Sequence, residues 1–166
     1  MQHISKIMHK NTDSPIEELI YEELLKYGLK PETQYRVGYF FIDLAFPEIK
    51  LAIEADGRDF HSTEEQKKRD WYRQSKLEEQ GWKFERFSGS FVNKYKDFIA
   101  AKIAMKYYGD SLSEELRQKA IGRISNYFMV NQKHRDMDFG IKLAEAYLRE
   151  NNGVNTSGLA DKMRLR

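Results

Sequence analysis

Three carboxylates interrupt two apolar stretches in the first half of the 166-residue sequence. Asp43 lies within FFIDLAFP, and Glu54 and Asp56 lie within KLAIEAD, where aromatic and aliphatic side chains predominate. Because strand side chains alternate, Glu54 and Asp56 share one face, about 6.6 Å apart along the strand. If Glu48 and Ile49 form a two-residue turn, Asp43 lies directly opposite Glu54 on the neighbouring antiparallel strand.

Acids this close together need a bound proton or a compensating positive charge. Like charges on opposite strand residues repel, so some acids must be protonated, paired with Lys or Arg, or bound to a divalent cation. Magnesium prefers oxygen ligands of this kind, and a substrate phosphate often completes its coordination. In the alternative that stays open, Arg73 or Arg86 neutralises the acids and no metal binds.

Capping and turn signals predict the elements that carry these acids. Ser14, Pro15 and Glu17 supply an N-cap, a first-turn proline and a capping-box acid, so a helix begins there. A second capping box, Ser62 to Glu65, opens a polar helix that ends near Gly81. Residue periodicity predicts the remaining elements, which are two or three strands over 33–56, the strand WKFERF, and a helix from Ser90 to Tyr108.

The composition is that of a single-domain globular protein. Hydrophobic residues make up 40% of the chain and charged residues 33%. The sequence contains no long apolar run and no signal-peptide core, which predicts a cytoplasmic protein without a membrane segment. Because the chain has no cysteine, disulfides, a thiolate nucleophile and cysteine-bound zinc are excluded.

The net charge of +2 conceals an uneven distribution. Residues 1–61 contain 7 Lys and Arg against 11 Asp and Glu, whereas residues 62–166 contain 21 against 15. A basic surface beside an acidic cluster suits a polyanion bound next to a carboxylate-held cation. Ordinary solvated surface is the alternative interpretation of the same imbalance.

Several spaced motifs resemble those of a known nuclease superfamily. The segments SPIEELIY, FFIDLAFPEIKLAIEADGRDFH and KRDWYRQSKLEEQGWKFERFSGS, which lie between residue 14 and about residue 92, resemble the PD-(D/E)XK restriction endonuclease-like superfamily. Within it, they look like the uncharacterised restriction-like domains related to very-short-patch repair endonucleases. The resemblance implies an α/β fold with a central mixed β-sheet flanked by helices, and a phosphodiesterase site that uses Mg²⁺ or Mn²⁺.

The resemblance also implies roles for individual residues. Asp43 matches the metal-binding aspartate, Glu54 matches the acid of the E-x-K half-motif, and the carbonyl of Ala55 could be a further ligand. Glu17 matches an acid on the first helix that points towards the site. Since Glu17 is also the capping-box partner of Ser14, both interpretations of it stay open.

Asp56 departs from the superfamily pattern, because lysine usually stands at this position. A lysine would orient the attacking water and stabilise charge on the phosphorus, which an aspartate alone cannot do. We predict that Asp56 is instead a metal ligand. His61 stands where the repair nucleases have a histidine, and it is the candidate general acid or base.

Basic residues after the acidic cluster are predicted to contact DNA. Asp70, Arg73 and Leu77 share one helical stripe, and the apolar Leu77 turns that stripe towards the sheet. Arg73 or Arg86 could contact the scissile phosphate, or Asp70 and Arg73 could form a structural pair. The predicted DNA-binding residues are Lys67, Lys68, Arg69, Arg73, Lys76 and Arg86.

The C-terminal part is predicted to extend the nuclease core. We assign 1–109 to that core and 110–166 to a helical C-terminal extension with a mobile tail. The function predicted is a magnesium-dependent DNA endonuclease in repair, restriction and defence, or mobile-element processing. The alternatives are an inactive DNA-binding or assembly module and the cleavage subunit of a larger complex. The partners expected are therefore DNA, a second copy in a homodimer, or a larger nuclease, helicase or transposition complex.

Overall fold

A computed structural model describes residues 12, 14–56, 63–131, 144, 146, 147 and 149 of the chain. Short 3₁₀ turns occupy Pro47–Ile49 and Gly109–Ser111. The regular elements of these described residues are, in chain order, α1 (Pro15–Leu25), β1 (Glu32–Val37), β2 (Phe40–Phe46), β3 (Leu51–Asp56), α2 (Glu64–Glu78), β4 (Lys83–Ser88), α3 (Gly89–Tyr108) and α4 (Glu114–Asn131).

The four described strands form one mixed sheet in the order β1-β2-β3-β4. The first three strands are antiparallel, and β4 pairs in parallel with β3. The register pairs Leu44 with Ile53 and Phe46 with Leu51, and Asp43, the next residue of β2, lies close enough to Glu54 to feel its charge. The connection differs from the predicted two-residue turn, because it is a 3₁₀ turn closed by Lys50 at φ 49°.

Helices cover both faces of the sheet. One face packs against α1, α3 and α4 in a core that includes Ile20, Leu24, Leu44, Ile53, Ile99, Ile103 and Ile121. The other face packs against α2 through a smaller cluster of Ile42, Ala45, Ala52, Leu77 and Trp82. The fold is therefore α/β, a central mixed sheet between two helical layers, as predicted.

The ends of α2 determine which of its side chains reach the sheet. Thr63 is the N-cap and forms a capping box with Gln66, one residue later than the predicted box. The sequence offers both boxes, because Thr-x-x-Gln satisfies the same pattern. At the other end Gly81 has φ 90°, and Trp82 N donates to Leu77 O at 3.1 Å, so the chain leaves the helix directly into β4.

Strand β2 is irregular at Asp43. Ile42 packs in the α2-facing cluster, whereas Leu44 packs in the opposite core, although regular alternation would give both the same face. Gln34, the β1 residue across from Asp43 in the register, has φ 49°. The backbone distortion thus coincides with the acidic residue, as is common beside functional sites.

The helix after the sheet shares the main core. Ala120, Ile121 and Ile124 of α4 are fully buried in the cluster that contains α1 and α3. The described positions at 144, 146, 147 and 149 are also helical. The boundary at residue 109 stays a prediction, and the predicted mobile tail lies outside the described residues. In the described segments no helix has the length and apolar character needed to cross a membrane.

Candidate active site

Asp43 is a half-buried acid that faces a second acid. Its carboxylate accepts a hydrogen bond from the backbone N–H of Ala55. Burial, and then the negative charge of Glu54, raise the pKa of Asp43 to about 6, although Arg73 acts in the opposite direction. Asp43 and Glu54 are therefore close together, and the repulsion between them disfavours the ionised form of Asp43.

Glu54 is buried, with 4% of its surface exposed, and both of its carboxylate oxygens have guanidinium partners. Arg73 Nη2 donates to Oε1, and Arg86 Nη2 lies 2.8 Å from Oε2. A buried carboxylate needs such partners, because removing it from water costs several kcal/mol, of the order of 5. The open alternative in which arginines neutralise the acids therefore describes Glu54 correctly.

The two arginines are held by further contacts. Arg73 Nη2 also donates to the carbonyl of Phe41 at 2.6 Å. Arg86 makes a two-pronged contact to Asp70, at 2.6 and 3.0 Å, while Arg73 Nη1 is 3.6 Å from Asp70. The hydrogen bond from Arg86 lowers the pKa of Asp70.

This arrangement corrects one detail of the sequence interpretation. Arg73 faces the sheet as the helical stripe predicted, but the main partner of Asp70 is Arg86. Glu54, Asp70, Arg73 and Arg86 form a four-residue group, which we term the acid–arginine network.

Asp56 lies at the edge of this network. It is the last residue of β3, it is exposed, and it pairs with Ser88 of β4 in the register. Burial raises the pKa of its carboxyl, and the nearby Arg86 opposes that shift. The carboxylate of Asp56 is therefore accessible to an ion or molecule that comes from solvent.

Glu17 is buried on α1, with 5% of its surface exposed. Gln34 Nε2 lies 3.5 Å from Glu17 Oε2, and Gln34 is the β1 residue across from Asp43. The α1 cap is made by Ser14 Oγ, which accepts from Ile16 N at 3.2 Å. Glu17 therefore points to the strand beside Asp43, in agreement with the position that the resemblance implies.

Comparison with known proteins identifies the family. Residues 16–105 match the REase_MTES_1575 family. The chain belongs to this restriction endonuclease-like family. The matched range contains α1, the whole described sheet, α2 and most of α3, and with them every described member of the acid–arginine network.

Other comparisons add little to the family assignment. A solved structure, "Homing Endonuclease I-Bth0305I Catalytic Domain", is similar with 21% identity and a TM-score of 0.48, over 60% of this chain and 99% of that one. A search of curated proteins gives no match.

The donor chemistry of this REase_MTES_1575 domain fits a hard divalent cation. Asp43 and Glu54 supply carboxylate oxygens, the repulsion between these two acids is one that a cation would relieve, and the backbone of Ala55 lies beside Asp43. Within the described residues no three His, Cys, Asp or Glu side chains are grouped closely enough to hold a metal. A cation would therefore have to compete with two arginines for Glu54. His61 lies outside the described residues.

The predicted DNA-binding residues of the family domain lie in two settings. Arg73 and Arg86 belong to the network, with 21% and 27% of their side chains exposed. Lys67 and Lys76 pair on α2 with Glu64 at 2.9 Å and Glu79 at 2.7 Å. Lys68 and Arg69 are exposed on the same helix. The helix thus presents cations to solvent next to the network.

Sequence reasoning missed two features of this domain. One of the two open interpretations pairs Asp70 with Arg73, whereas Asp70 is the main anchor of Arg86 from another element. The buried Glu85 was not considered, although Lys102 at 2.7 Å and Lys106 at 2.8 Å both bind it. The available signal for Glu85 was a charged residue between two aromatic positions of a strand, FERF.

Proposed function

We propose that this REase_MTES_1575 domain is a divalent-metal-dependent DNA endonuclease that hydrolyses phosphodiester bonds. The observation that carries the proposal is the proximity of Asp43 to the buried Glu54, on which two guanidinium groups converge. Family membership supports a nuclease. DNA is the substrate that the flanking basic surface favours.

The metal would be held by oxygen ligands in the middle of β2 and at the end of β3. Asp43, Glu54, the carbonyl of Ala55 and Asp56 are the proposed ligands, and Mg²⁺ or Mn²⁺ suits such a set. When bound, a divalent cation supplies Lewis-acid stabilisation of the scissile phosphate and a more acidic water. Because the pKa of Asp43 is raised, part of this carboxyl is protonated near pH 6, and a bound cation would favour the ionised form.

The arginines are the proposed substitutes for the lysine that Asp56 replaces. Arg86 and Arg73 already lie against Glu54, and a guanidinium can exchange a carboxylate for a phosphate because the two acceptors have similar geometry. Asp70 keeps hold of Arg86 during such an exchange through its two contacts. The exchange would free Glu54 for the cation when DNA arrives.

Proton transfer is the proposed task of His61, whose imidazole titrates near neutral pH. Glu17 is proposed as a positioning residue that orders Gln34, the β1 neighbour of Asp43.

One observation favours a second function. Glu54 is fully engaged by arginines and an aspartate replaces the expected lysine, which is the pattern of a domain that binds DNA without cutting it. Such a module would act in assembly, as a homodimer or within a larger nuclease, helicase or transposition complex. A cleavage subunit that needs its partner is a variant of the same idea.

The test is incubation of the full chain with supercoiled, linear and single-stranded DNA in Mg²⁺, Mn²⁺ or EDTA. We expect metal-dependent cleavage that Asp43→Asn and Glu54→Gln each abolish, with DNA binding retained. Lys119→Ala, at an exposed lysine of α4 outside the predicted DNA-binding residues, is the control and should cut normally. Equal DNA binding in metal and EDTA without cleavage would favour the binding module. Normal activity in folded Asp43→Asn and Glu54→Gln variants would contradict the site.

A further inference from the structure

A cavity of about 350 Å³ opens where β4 meets α3. Three consecutive residues at the end of β4 form one side, and α3 residues and Tyr147 form the other. Its walls are Arg86, Phe87, Ser88, Phe91, Phe98, Lys102 and Tyr147. A volume of this size is in the range of small-molecule sites and accommodates a nucleotide.

The walls are mainly aromatic. The rings of Phe87 and Phe91 are nearly parallel, at 10°, with centroids 6.2 Å apart. Phe98 lies edge-on to Phe91, and its centroid is 6.5 Å from that of Tyr147. Phe91 and Tyr147 are half-buried, so their rings are accessible from the cavity. Such rings favour a flat aromatic ligand.

The cavity also contains positive charge. Lys102 Nζ lies 5.3 Å from the ring centroid of Phe87, and it binds Glu85 at 2.7 Å. Arg86 also lines the cavity, but its guanidinium binds Glu54 and Asp70 towards α2. Aromatic surface next to a lysine matches a ligand that combines a flat ring with an anionic group, as a nucleotide does.

The cavity adjoins the candidate active site. Arg86 lines the cavity and also contacts Glu54 at 2.8 Å, and Ser88 is the register partner of Asp56. A strand whose phosphate lies at the acids would therefore bring a neighbouring base to the cavity mouth.

We propose that this cavity binds an unstacked nucleobase of the DNA strand whose phosphate lies at the acid–arginine network. The inference rests on the proposed function and narrows it, because only DNA with bases free to leave the stack can fill the cavity. The substrate class is then single-stranded or locally unpaired DNA. Any base can stack on a protein ring, so the cavity would distinguish unpaired DNA from duplex DNA but would not distinguish one base sequence from another.

The test is a binding series with the full chain in EDTA, where no cleavage occurs. Short single-stranded oligonucleotides carry one abasic site, moved stepwise along the strand. We expect one position at which loss of the base weakens binding by about tenfold, the size typical of one stacked base. Phe91→Leu should remove that positional difference while keeping the core apolar. The control is Phe128→Leu, which changes an aromatic residue of the same core outside the cavity wall and should leave the difference intact.

Deoxyadenosine monophosphate and deoxyribose 5-phosphate are titrated in parallel. They show whether the cavity binds a free nucleotide or a base that is part of a DNA strand. Equal affinity for all abasic positions, or equal effects of Phe91→Leu and Phe128→Leu in folded variants, would overturn the inference. Phe91-dependent binding of the free nucleotide, without any abasic effect, would also overturn it in favour of a nucleotide effector. An abasic effect in a protein that never cuts DNA would support the cavity and defeat only the nuclease proposal, so the two failures are distinguishable.

Discussion

Arg86 and Glu54 are register partners on the parallel strands β4 and β3, and their side chains meet at 2.8 Å. The contact places a permanent cation beside a buried carboxylate before any metal or DNA binds. Arg86 is itself held by Asp70, and these contacts, with the hydrogen bond to Asp70 first, raise its pKa. The acid–arginine network is therefore charge-balanced, whereas Asp43 beside it lies in an environment that disfavours its charged form.

The contribution of Asp43 to the stability of the metal-free protein should fall as the pH rises from about 4 to about 6. Folding raises the pKa of Asp43 from 3.8 to about 6, so the folded state binds more protons than the unfolded state within this window. Asp43→Asn removes that penalty and should stabilise the protein by about 1 kcal/mol at pH 7, after allowance for solvent screening, and by little at pH 4. Urea unfolding in EDTA at both pH values measures this, and an equal effect at both would contradict it.

Removing Arg86 should destabilise the fold. Arg86→Met leaves the buried Glu54 with Arg73 alone and separates Asp70 from its main partner, which should cost about 2 kcal/mol. Lys67→Met breaks the exposed pair with Glu64 and should change the free energy of unfolding by less than about 0.5 kcal/mol. Chemical unfolding of both variants gives the comparison. Similar losses in the two would mean that burial of Glu54 does not depend on Arg86.

Asp56→Lys tests what the departure from the superfamily pattern means. Because Arg86 and Arg73 already act on Asp56, a lysine there adds a third cation beside Glu54 and should lower both magnesium affinity and cleavage. Calorimetric titration and a nuclease assay provide the two readouts, and Asp56→Asn controls for loss of the charge. Faster cutting with unchanged magnesium affinity would show that Asp56 marks a decayed site rather than a ligand.

The exposed cations of α2 should set the salt dependence of DNA binding. Lys68→Ala and Arg69→Ala should each weaken binding and reduce the slope of log K against log salt by about 1, irrespective of sequence. Lys119→Ala, an exposed lysine on α4, is the matched control and should leave the slope unchanged. Affinity measured in EDTA over a range of salt concentrations decides the matter. If only Lys119→Ala changed the slope, the DNA-binding surface would lie on the α4 side of the fold rather than on α2.

The C-terminal extension should be required for a stable core. Ile124→Ala should cost about 3 kcal/mol, because Ile124 is fully buried, whereas Val130→Ala, at a site 66% exposed, should cost less than about 0.5 kcal/mol. Deletion of 110–166 should leave an insoluble fragment, and deletion of 154–166 should be mild. Thermal unfolding and solubility test this. A compact, active fragment of residues 1–109 would instead make the extension dispensable.

Residue patterns along the chain were sufficient to predict the helices and strands and the proximity of Asp43 and Glu54. The short connection between β2 and β3 brought Asp43 near Glu54, because the length of a turn leaves few registers. Family-like motifs implied the mixed sheet, which is present. The roles of these residues in catalysis stay predictions.

The sequence by itself therefore determined the order of elements and the meeting of two acids on adjacent strands. Only the tertiary structure decided which cations hold Glu54, because Arg73 and Arg86 arrive from a helix and a parallel strand whose relative positions depend on packing. It also decided that Asp70 anchors Arg86, that β2 is distorted at Asp43, and that β4, α3 and Tyr147 line an open cavity. These features depend on contacts between residues far apart in the chain, which residue spacing does not encode.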